Sequence, residues 1–352
     1  MNSNINTANS SKLFWINCIK IFATFLVVMQ HSISHEWVRL LDIGGSQWNI
    51  INFIFMLTRT GVPIFIMCSG MGMLSKERTV KSVYMNNIKN LVCLYIAWML
   101  VFGIVDVCSM LSSPLATVRT VINALLKSIL FGQYHTWFII MLLALYAITP
   151  LLYEIAKRKN LLQYFLLLSI LFTILLPYVR KVEALSRVNT VIQNANMNFV
   201  VGHTLYYMIG YYLSGCKLTK KRGLAACLMF ILSAGAAFTL SNYQRSIVHS
   251  ECQSVYAEFS VLGFMMNISI FMVFRFLIEN VKPGKVIHSF VSVVVKCGIG
   301  IYLFHPLILF LVKNLHGSVS ILGGIGIWAL SVTVMVILYH LPVVSRIFLG
   351  KR

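Results

Sequence analysis

The chain has 352 residues, of which 59% are hydrophobic and only 11% are charged. So few polar groups cannot cover the surface of a soluble domain, and the composition therefore excludes a soluble globular protein. The formal net charge is +20, but basic residues beside apolar spans are explained by membrane orientation and by contact with anionic lipid headgroups. The charge therefore gives no reason to expect nucleic-acid binding.

Apolar segments long enough to cross a membrane recur along the whole chain, since about 20 residues span roughly 30 Å of hydrocarbon. Ten such segments lie near residues 13–34, 49–74, 88–110, 134–154, 161–179, 198–215, 223–241, 255–278, 293–313 and 321–341. The connections between them are short. The sequence predicts an all-α, polytopic transmembrane helix bundle over residues 13–341, with a cytoplasmic tail at 1–12 and a basic cytoplasmic tail at 342–352.

Lysine and arginine are unevenly distributed over the short loops. If the N-terminus is cytoplasmic, the inner segments hold 17 basic residues and the outer segments hold 8. Cytoplasmic loops carry the basic excess in membrane proteins. Both termini are therefore predicted to be cytoplasmic.

Several cofactor and transport signatures are missing from the sequence. The eight cysteines include no CxxC pair, and only Cys252 falls in a predicted outer loop, so neither a zinc site nor a disulfide framework is indicated. There is no Walker A loop and no Gly-rich dinucleotide fingerprint. We expect no metal and no redox cofactor. The absence of a visible internal repeat also weakens a transporter interpretation.

The outer ends of the predicted spans carry many ionisable side chains. His31 lies in the run VVMQHSIS of the first span, where a titratable group costs free energy unless it is used. The alternative for the more peripheral groups is an interfacial side chain that extends to headgroups and water. These outer candidates are His31, His35, Glu36, Asp106, His135, His203 and Glu258.

The second span carries an arginine about ten residues from its start, where the insertion cost is roughly 2.5–3.5 kcal/mol. Arg59 therefore needs an anionic partner or a polar cavity. Gly61 and Pro63 follow it, and proline removes a backbone donor, so we expect a break in this helix. The structural alternative is a buried ion pair of Arg59 with Glu258 or Asp106.

Basic residues also gather at the inner ends of the spans. Asn17 and Lys20 share one face of the first helix, Lys89 begins the third span, and Arg78 lies in the basic loop 76–81. Such an electropositive mouth suits a phosphate-bearing ligand. Membrane topology alone also places basic residues there, so this alternative stays open.

Small and polar residues interrupt two further apolar runs. Cys68, Ser69 and Gly70 would let either a ligand or a neighbouring helix approach closely. In the ninth span, the run GIGIYLFHP places His305 and a proline at mid to outer depth. A kinked helix with a structural histidine is the alternative.

The order of these residues resembles the acyltransferase 3 family of integral membrane acyltransferases. The resemblance covers residues 13 to 340, and within the family it is nearest to compact O-acetyltransferases of surface polysaccharides, such as the one that modifies enterobacterial common antigen. It rests on Asn17-x-x-Lys20 with His31, Arg59-x-Gly-Val-Pro-Ile-Phe with Ser69-Gly70, Thr136-Trp137-Phe138-Ile139, His203-Thr-Leu-Tyr-Tyr-Met-Ile-Gly, and Ile299-Gly-Ile-Tyr302-Leu-Phe-His305-Pro306.

Three positions depart from the family's pattern. The family's first helix usually carries an aspartate and an arginine where this chain has Asn17 and Lys20, although His31 keeps its spacing. Many members also carry an arginine where this chain has Lys89. A lysine supplies the positive charge without the bidentate geometry of a guanidinium.

The resemblance implies transfer of an acetyl group from cytoplasmic acetyl-CoA to a sugar hydroxyl of a polysaccharide or lipid-linked glycan, in a bacterial inner membrane. His31 would act as the general base, and Arg59 would stabilise the oxyanion or hold the pyrophosphate. Lys20, Lys89, Arg78 and Ser69 would bind the donor. The residues expected to shape the site or face the acceptor are His35, Trp137, His203, Glu258, Tyr302 and His305.

Two other functions remain compatible with the sequence. An exporter or flippase of a lipid-linked glycan would also need a polar cavity within the membrane, and it would move its substrate without consuming acetyl-CoA. A transferase of another short acyl group, such as succinyl, is equally compatible, because nothing in the sequence sets the size of the acyl pocket.

Overall fold

The computed structural model describes residues 2–110, 117–179, 202–317 and 319–350, and all regular structure within these ranges is helical. The predicted all-α bundle is confirmed. In chain order the helices are α1 (Asn2–Ile43), α2 (Gly45–Thr58), α3 (Gly61–Met73), α4 (Val80–Val83), α5 (Lys89–Met110), α6 (Val118–Phe131), α7 (Trp137–Ala156), α8 (Lys159–Ile170), α9 (Leu176–Val179), α10 (His203–Gly215), α11 (Lys220–Ile247), α12 (Val261–Ile278), α13 (Lys285–Lys296), α14 (Gly298–His316), α15 (Ile321–Tyr339) and α16 (Pro342–Phe348).

Eight helical segments of the described chain are long and apolar enough to cross a membrane. They correspond to eight of the ten predicted spans. For the predicted span 161–179 the structure has α8, continued by a π-helical turn (Leu171–Leu175) into α9. For 198–215 it has α10, since residues 198–201 lie outside the described residues. The total of ten and the cytoplasmic placement of both termini stay predictions.

Helix α1 is the central element of the bundle. It packs against α2, α3, α12, α13, α14 and α15, and Ile19, Ala23 and Val28 on its length are fully buried. Lys20 and His31 project from the same helix about 16 Å apart along its axis, by the rise of an α-helix. A single rigid element thus connects the two predicted ends of the site.

The predicted second span is interrupted as expected. Helix α2 ends at Thr58 and α3 begins at Gly61, so that Arg59 and Thr60 form the connection. Pro63 is the third residue of α3, a position where a helical N–H has no partner in its own helix. The proline is therefore tolerated at the start of the new helix, and the polar residue Arg59 lies at the break.

Candidate active site

A pair of histidines from opposite ends of the chain lies at the centre of the candidate site. His31 Nδ1 on α1 is 2.8 Å from His305 Nε2 on α14, and the two rings are nearly parallel, with an angle of 2° between their planes. His305 is fully buried, and its Nδ1 lies 3.3 Å from the carbonyl oxygen of Ile301. The two histidines therefore form one hydrogen-bonded unit.

A third histidine completes this cluster. The ring of His135 is buried, with its centroid 6.2 Å from that of His305, and the Tyr302 hydroxyl donates to the His135 carbonyl. Neither ring nitrogen of His135 has a hydrogen-bond partner among the described residues. A buried polar group left unpaired costs about 1–3 kcal/mol. His135 therefore marks a point where a bound group would supply the missing hydrogen bond.

Arg59 lies near the histidine pair and is not neutralised by a carboxylate. In the described part of the chain it forms no ion pair, since Glu258 bonds His203 at 3.2 Å and Asp106 accepts a bond from Gln133 at 3.4 Å. The structural alternative of an ion pair with either acid is therefore wrong. Arg59 lies close enough to His31 for its charge to act on that ring.

Most of the predicted donor residues meet in a cavity that lies between Lys20 and the histidines. This narrow cavity has a volume of about 390 Å³, and its walls include Lys20, Ser69, Arg78 and Tyr302. The Ser69 hydroxyl donates to the hydroxyl of Tyr146 at 3.2 Å. Three of the four predicted donor residues are thus brought together. The fourth, Lys89, is exposed at the start of α5 and lines neither this cavity nor the larger one beside it.

A larger cavity of about 1080 Å³ adjoins the narrow cavity, and both are lined by Lys20, Cys68 and Gly72. We call it the basic chamber because its walls carry five cationic side chains and, among the described lining residues, no acidic one. Those cations are Lys20, Lys157, Lys159, Lys217 and Arg222.

Some cations of the basic chamber form ion pairs within the protein and others do not. Lys157 bonds Glu154 at 2.7 Å. Lys159, Lys217 and Arg222 form no ion pair within the described ranges. Asn17 also lines the chamber, at the position where the family usually has an aspartate, so this wall carries an uncharged amide. The chamber is suited to an anionic ligand.

Four of these cations belong to the 17 basic residues of the predicted inner segments, and the sequence does not indicate that they meet. Lys157 lies in the link between α7 and α8, and Lys159 begins α8. Lys217 lies in the link between α10 and α11, and Arg222 is in the first turn of α11. Their clustering depends on how these helix ends pack. The only sequence signal was a local excess of basic residues, which topology already predicts.

A buried arginine holds one wall of the basic chamber. Arg275 donates from Nη1 to the carbonyl oxygens of Leu213 and Cys216, at 2.7 and 2.9 Å, and its Nε lies 3.1 Å from both oxygens of the Glu279 carboxylate. The C-terminal end of a helix carries a partial negative charge. The Arg275 guanidinium offsets that charge at the end of α10, which would otherwise repel an anion in the chamber.

The outer-side candidates form a second group. His203 bonds Glu258 at 3.2 Å, and the ring of the exposed Trp137 lies 5.7 Å from the His203 ring. Trp137 begins α7 two residues after His135, so this group adjoins the histidine cluster. His35 is exposed on α1. Trp137, His203 and Glu258 are therefore brought together, whereas the role of His35 stays a prediction.

Comparison with known proteins agrees with this architecture. A family model described as an acyltransferase domain matches residues 13–340, a segment that contains the histidine cluster and both cavities. No curated protein and no solved structure gives a match. The match covers most of a chain whose helices are long and apolar enough to cross a membrane several times, and we conclude that this multi-pass membrane protein belongs to the acyltransferase 3 family and is an acyltransferase.

Proposed function

We propose that the protein is an O-acetyltransferase of the bacterial inner membrane. It would move an acetyl group from cytoplasmic acetyl-CoA to a hydroxyl of a cell-surface polysaccharide or its lipid-linked precursor, of the O-antigen, common antigen or exopolysaccharide type. One observation carries this proposal. The basic chamber and the narrow cavity share lining residues, and the narrow cavity is also lined by Tyr302. The Tyr302 hydroxyl contacts His135 beside the pair of His31 and His305.

The two connected cavities suit the two ends of acetyl-CoA. Its nucleotide end carries a pyrophosphate and a 3′-phosphate, which require cations such as Lys159, Lys217 and Arg222 in the basic chamber. Its pantetheine arm is long, narrow and mostly uncharged, as is required to pass Ser69 and Tyr146 in the narrow cavity. The thioester would then lie near Tyr302, next to the histidine cluster.

The histidine cluster supplies the chemistry of acyl transfer. We propose that His31 accepts the proton of the acceptor hydroxyl while its oxygen attacks the thioester carbon, forming a C–O bond. The C–S bond then breaks, and the proton passes from His31 to the leaving thiolate. We propose that Arg59 stabilises the oxyanion, because a preorganised cation interacts strongly with developing negative charge.

The outer group of Trp137, His203 and Glu258 supports a sugar acceptor. An exposed aromatic ring can stack on the apolar face of a sugar, and a carboxylate can accept hydrogen bonds from its hydroxyl groups. This group adjoins the histidine cluster on the side away from the basic chamber. Donor and acceptor would therefore approach the reacting centre from opposite sides.

The proposal can be tested with membranes containing the protein, labelled acetyl-CoA and the glycan of the host. We expect the wild type to label the glycan and His31→Ala to lose roughly 10²–10⁴-fold of the rate, the usual contribution of a general base. His340→Ala is the matched control, since His340 is exposed at the end of α15.

The same assay separates the alternatives. If the glycan is labelled from succinyl-CoA in preference to acetyl-CoA, the protein transfers succinyl and not acetyl groups. Movement of glycan across the membrane without use of either donor would contradict it in favour of export.

A further inference from the structure

The bond between His31 and His305 has a direction that the surrounding backbone determines. A carbonyl oxygen can only accept a hydrogen bond, so His305 Nδ1, at 3.3 Å from the Ile301 carbonyl, is the protonated nitrogen of its ring. A neutral imidazole carries one N–H and one lone pair. His305 Nε2 is therefore an acceptor, and His31 Nδ1, at 2.8 Å, must donate to it.

A proline follows His305 and changes the backbone hydrogen bonding beside it. Pro306 has no N–H, and the Tyr302 carbonyl, four residues earlier, therefore loses its usual helical donor. The Nδ1 of His305 lies 3.3 Å from the carbonyl oxygen of the neighbouring Ile301. A backbone oxygen, which does not titrate, thus orients the imidazole.

We propose that His305 is a positioning residue that fixes the tautomer of His31, so that Nε2 of His31 is the atom that accepts the proton of the acceptor hydroxyl. This inference rests on the proposed role of His31 as general base and names the atom and the partner that make it one. Orientation of an imidazole through its other nitrogen is a general requirement of histidine bases and ligands. Here a neutral imidazole occupies the position that a carboxylate often takes.

The same contact stabilises His31 after it has taken the proton. His31 then carries an N–H on each nitrogen, and its bond to His305 Nε2 becomes a charge-assisted hydrogen bond, which is stronger than a neutral one. No new partner has to move into place. The other groups that face His31 are Arg59, Lys313, Tyr134 and His135, and none of these is a carboxylate.

A pair of substitutions at His305 separates this role from simple packing. His305→Gln retains an oxygen that can accept from His31 and an amide N–H that can donate to Ile301, whereas His305→Leu fills similar space without either group. We expect kcat to fall roughly 10–100-fold in His305→Leu, the usual cost of losing such a partner, and to recover in part in His305→Gln. KM for acetyl-CoA should not change in either variant, because His305 lines neither cavity. Equal activity of the two variants would overturn the proposal.

The tautomer can also be observed without any assay of activity. We would label the histidines of the full-length protein with ¹⁵N in lipid nanodiscs at a pH above 7, and assign His31 by the signal that disappears in His31→Gln. In the wild type, His31 should be protonated at Nδ1 and unprotonated at Nε2. A His31 signal protonated at Nε2 would overturn the proposal even if acetyl transfer is active. If the wild type shows His31 protonated at Nδ1 but transfers no acetyl group, the inference about the tautomer stands and the proposed function is wrong.

Discussion

Gly70 of α3 lies against the backbone of Tyr207 of α10, so closely that a Cβ at this glycine would overlap the Tyr207 carbonyl. The contact is reciprocal, because a Cβ at Gly210 would overlap the backbone of Met67. Small residues allow membrane helices to approach this closely. Ser69, the neighbour of Gly70, lines the narrow cavity, and the end of α10 lines the basic chamber. The crossing of these two helices therefore positions the walls of both cavities.

Substitution of this glycine should destabilise the bundle. We expect Gly70→Ala to lower the free energy of unfolding by about 1–3 kcal/mol, the usual cost of an overpacked contact, as a fall in thermal unfolding temperature in detergent. Gly72→Ala on the same helix is the control, because among the described residues no side chain and no backbone of another helix lies within 4 Å of its Cβ position. Equal stability of the two variants would show that the helices can separate without cost.

Removal of the buried arginine should cost more stability than removal of an exposed one. Arg275→Met leaves Glu279 and two helix carbonyls without their partner, and breaking a buried pair in this way costs about 3–5 kcal/mol. Arg39→Met breaks the exposed pair with Glu36 and should cost little stability, because solvent and salt screen an exposed ion pair. Chemical or thermal unfolding of both variants in one detergent measures the difference, and similar losses would contradict the role assigned to Arg275.

The cations of the basic chamber should govern the affinity for the nucleotide end of the donor. We expect Lys217→Gln and Arg222→Gln each to raise KM for acetyl-CoA roughly tenfold, equivalent to about 1.4 kcal/mol, with kcat preserved. The effect should vanish with acetyl-pantetheine, which lacks the nucleotide. Lys89→Gln is the matched control and should leave KM unchanged, since Lys89 lines neither cavity. The same rise in KM with both donors would place the nucleotide elsewhere.

Arg59 should act on the rate of transfer rather than on donor binding. We expect Arg59→Lys to lower kcat substantially with normal membrane insertion, because an ammonium lacks the planar geometry of a guanidinium. Arg59→Gln should lose roughly 10²–10³-fold, the usual cost of removing an oxyanion donor. Arg119→Lys, at an exposed position on α6, controls for the loss of an arginine. A rise in KM for acetyl-CoA with kcat unchanged would instead indicate a phosphate-binding role.

His135 should show opposite effects on stability and activity. Its ring is buried without a hydrogen-bond partner in the described structure, so His135→Phe removes an unpaired polar group that costs about 1–3 kcal/mol. We therefore expect His135→Phe to unfold at the same or a higher temperature than the wild type while its transfer rate falls. Loss of stability together with activity would mean that His135 is a packing residue.

Much of the fold could be predicted from local properties of the sequence. Apolar length identified the spans, and Arg59 followed by Gly61 and Pro63 correctly indicated the break between α2 and α3. The grouping of Lys20 with Arg78 was also predicted, because both were assigned to the inner ends of the spans, whereas the place of Ser69 beside them was expected from the family resemblance. Depth along a helix can be read from residue spacing at a fixed rise.

The lateral arrangement of the helices could not be predicted in this way. His31 and His305 are 274 residues apart, and the sequence placed both at similar depth without indicating that they touch. The alternative of an ion pair between Arg59 and Glu258 could not be decided from the sequence for the same reason, and in the structure Glu258 pairs with His203 instead. Nothing in a single sequence states which helices are neighbours.

The sequence by itself determined that this is an all-α membrane protein with basic residues at one end of its helices and histidines at the other. Those features follow from the free energy of transferring each residue from water to hydrocarbon, which depends only on the residue and its depth. Only the tertiary structure decided that four loop cations enclose a chamber with Lys20, and that His305 directs the bond made by His31. Such contacts depend on helix packing, where steric fit between distant segments, such as that of Gly70 against Tyr207, selects the partner.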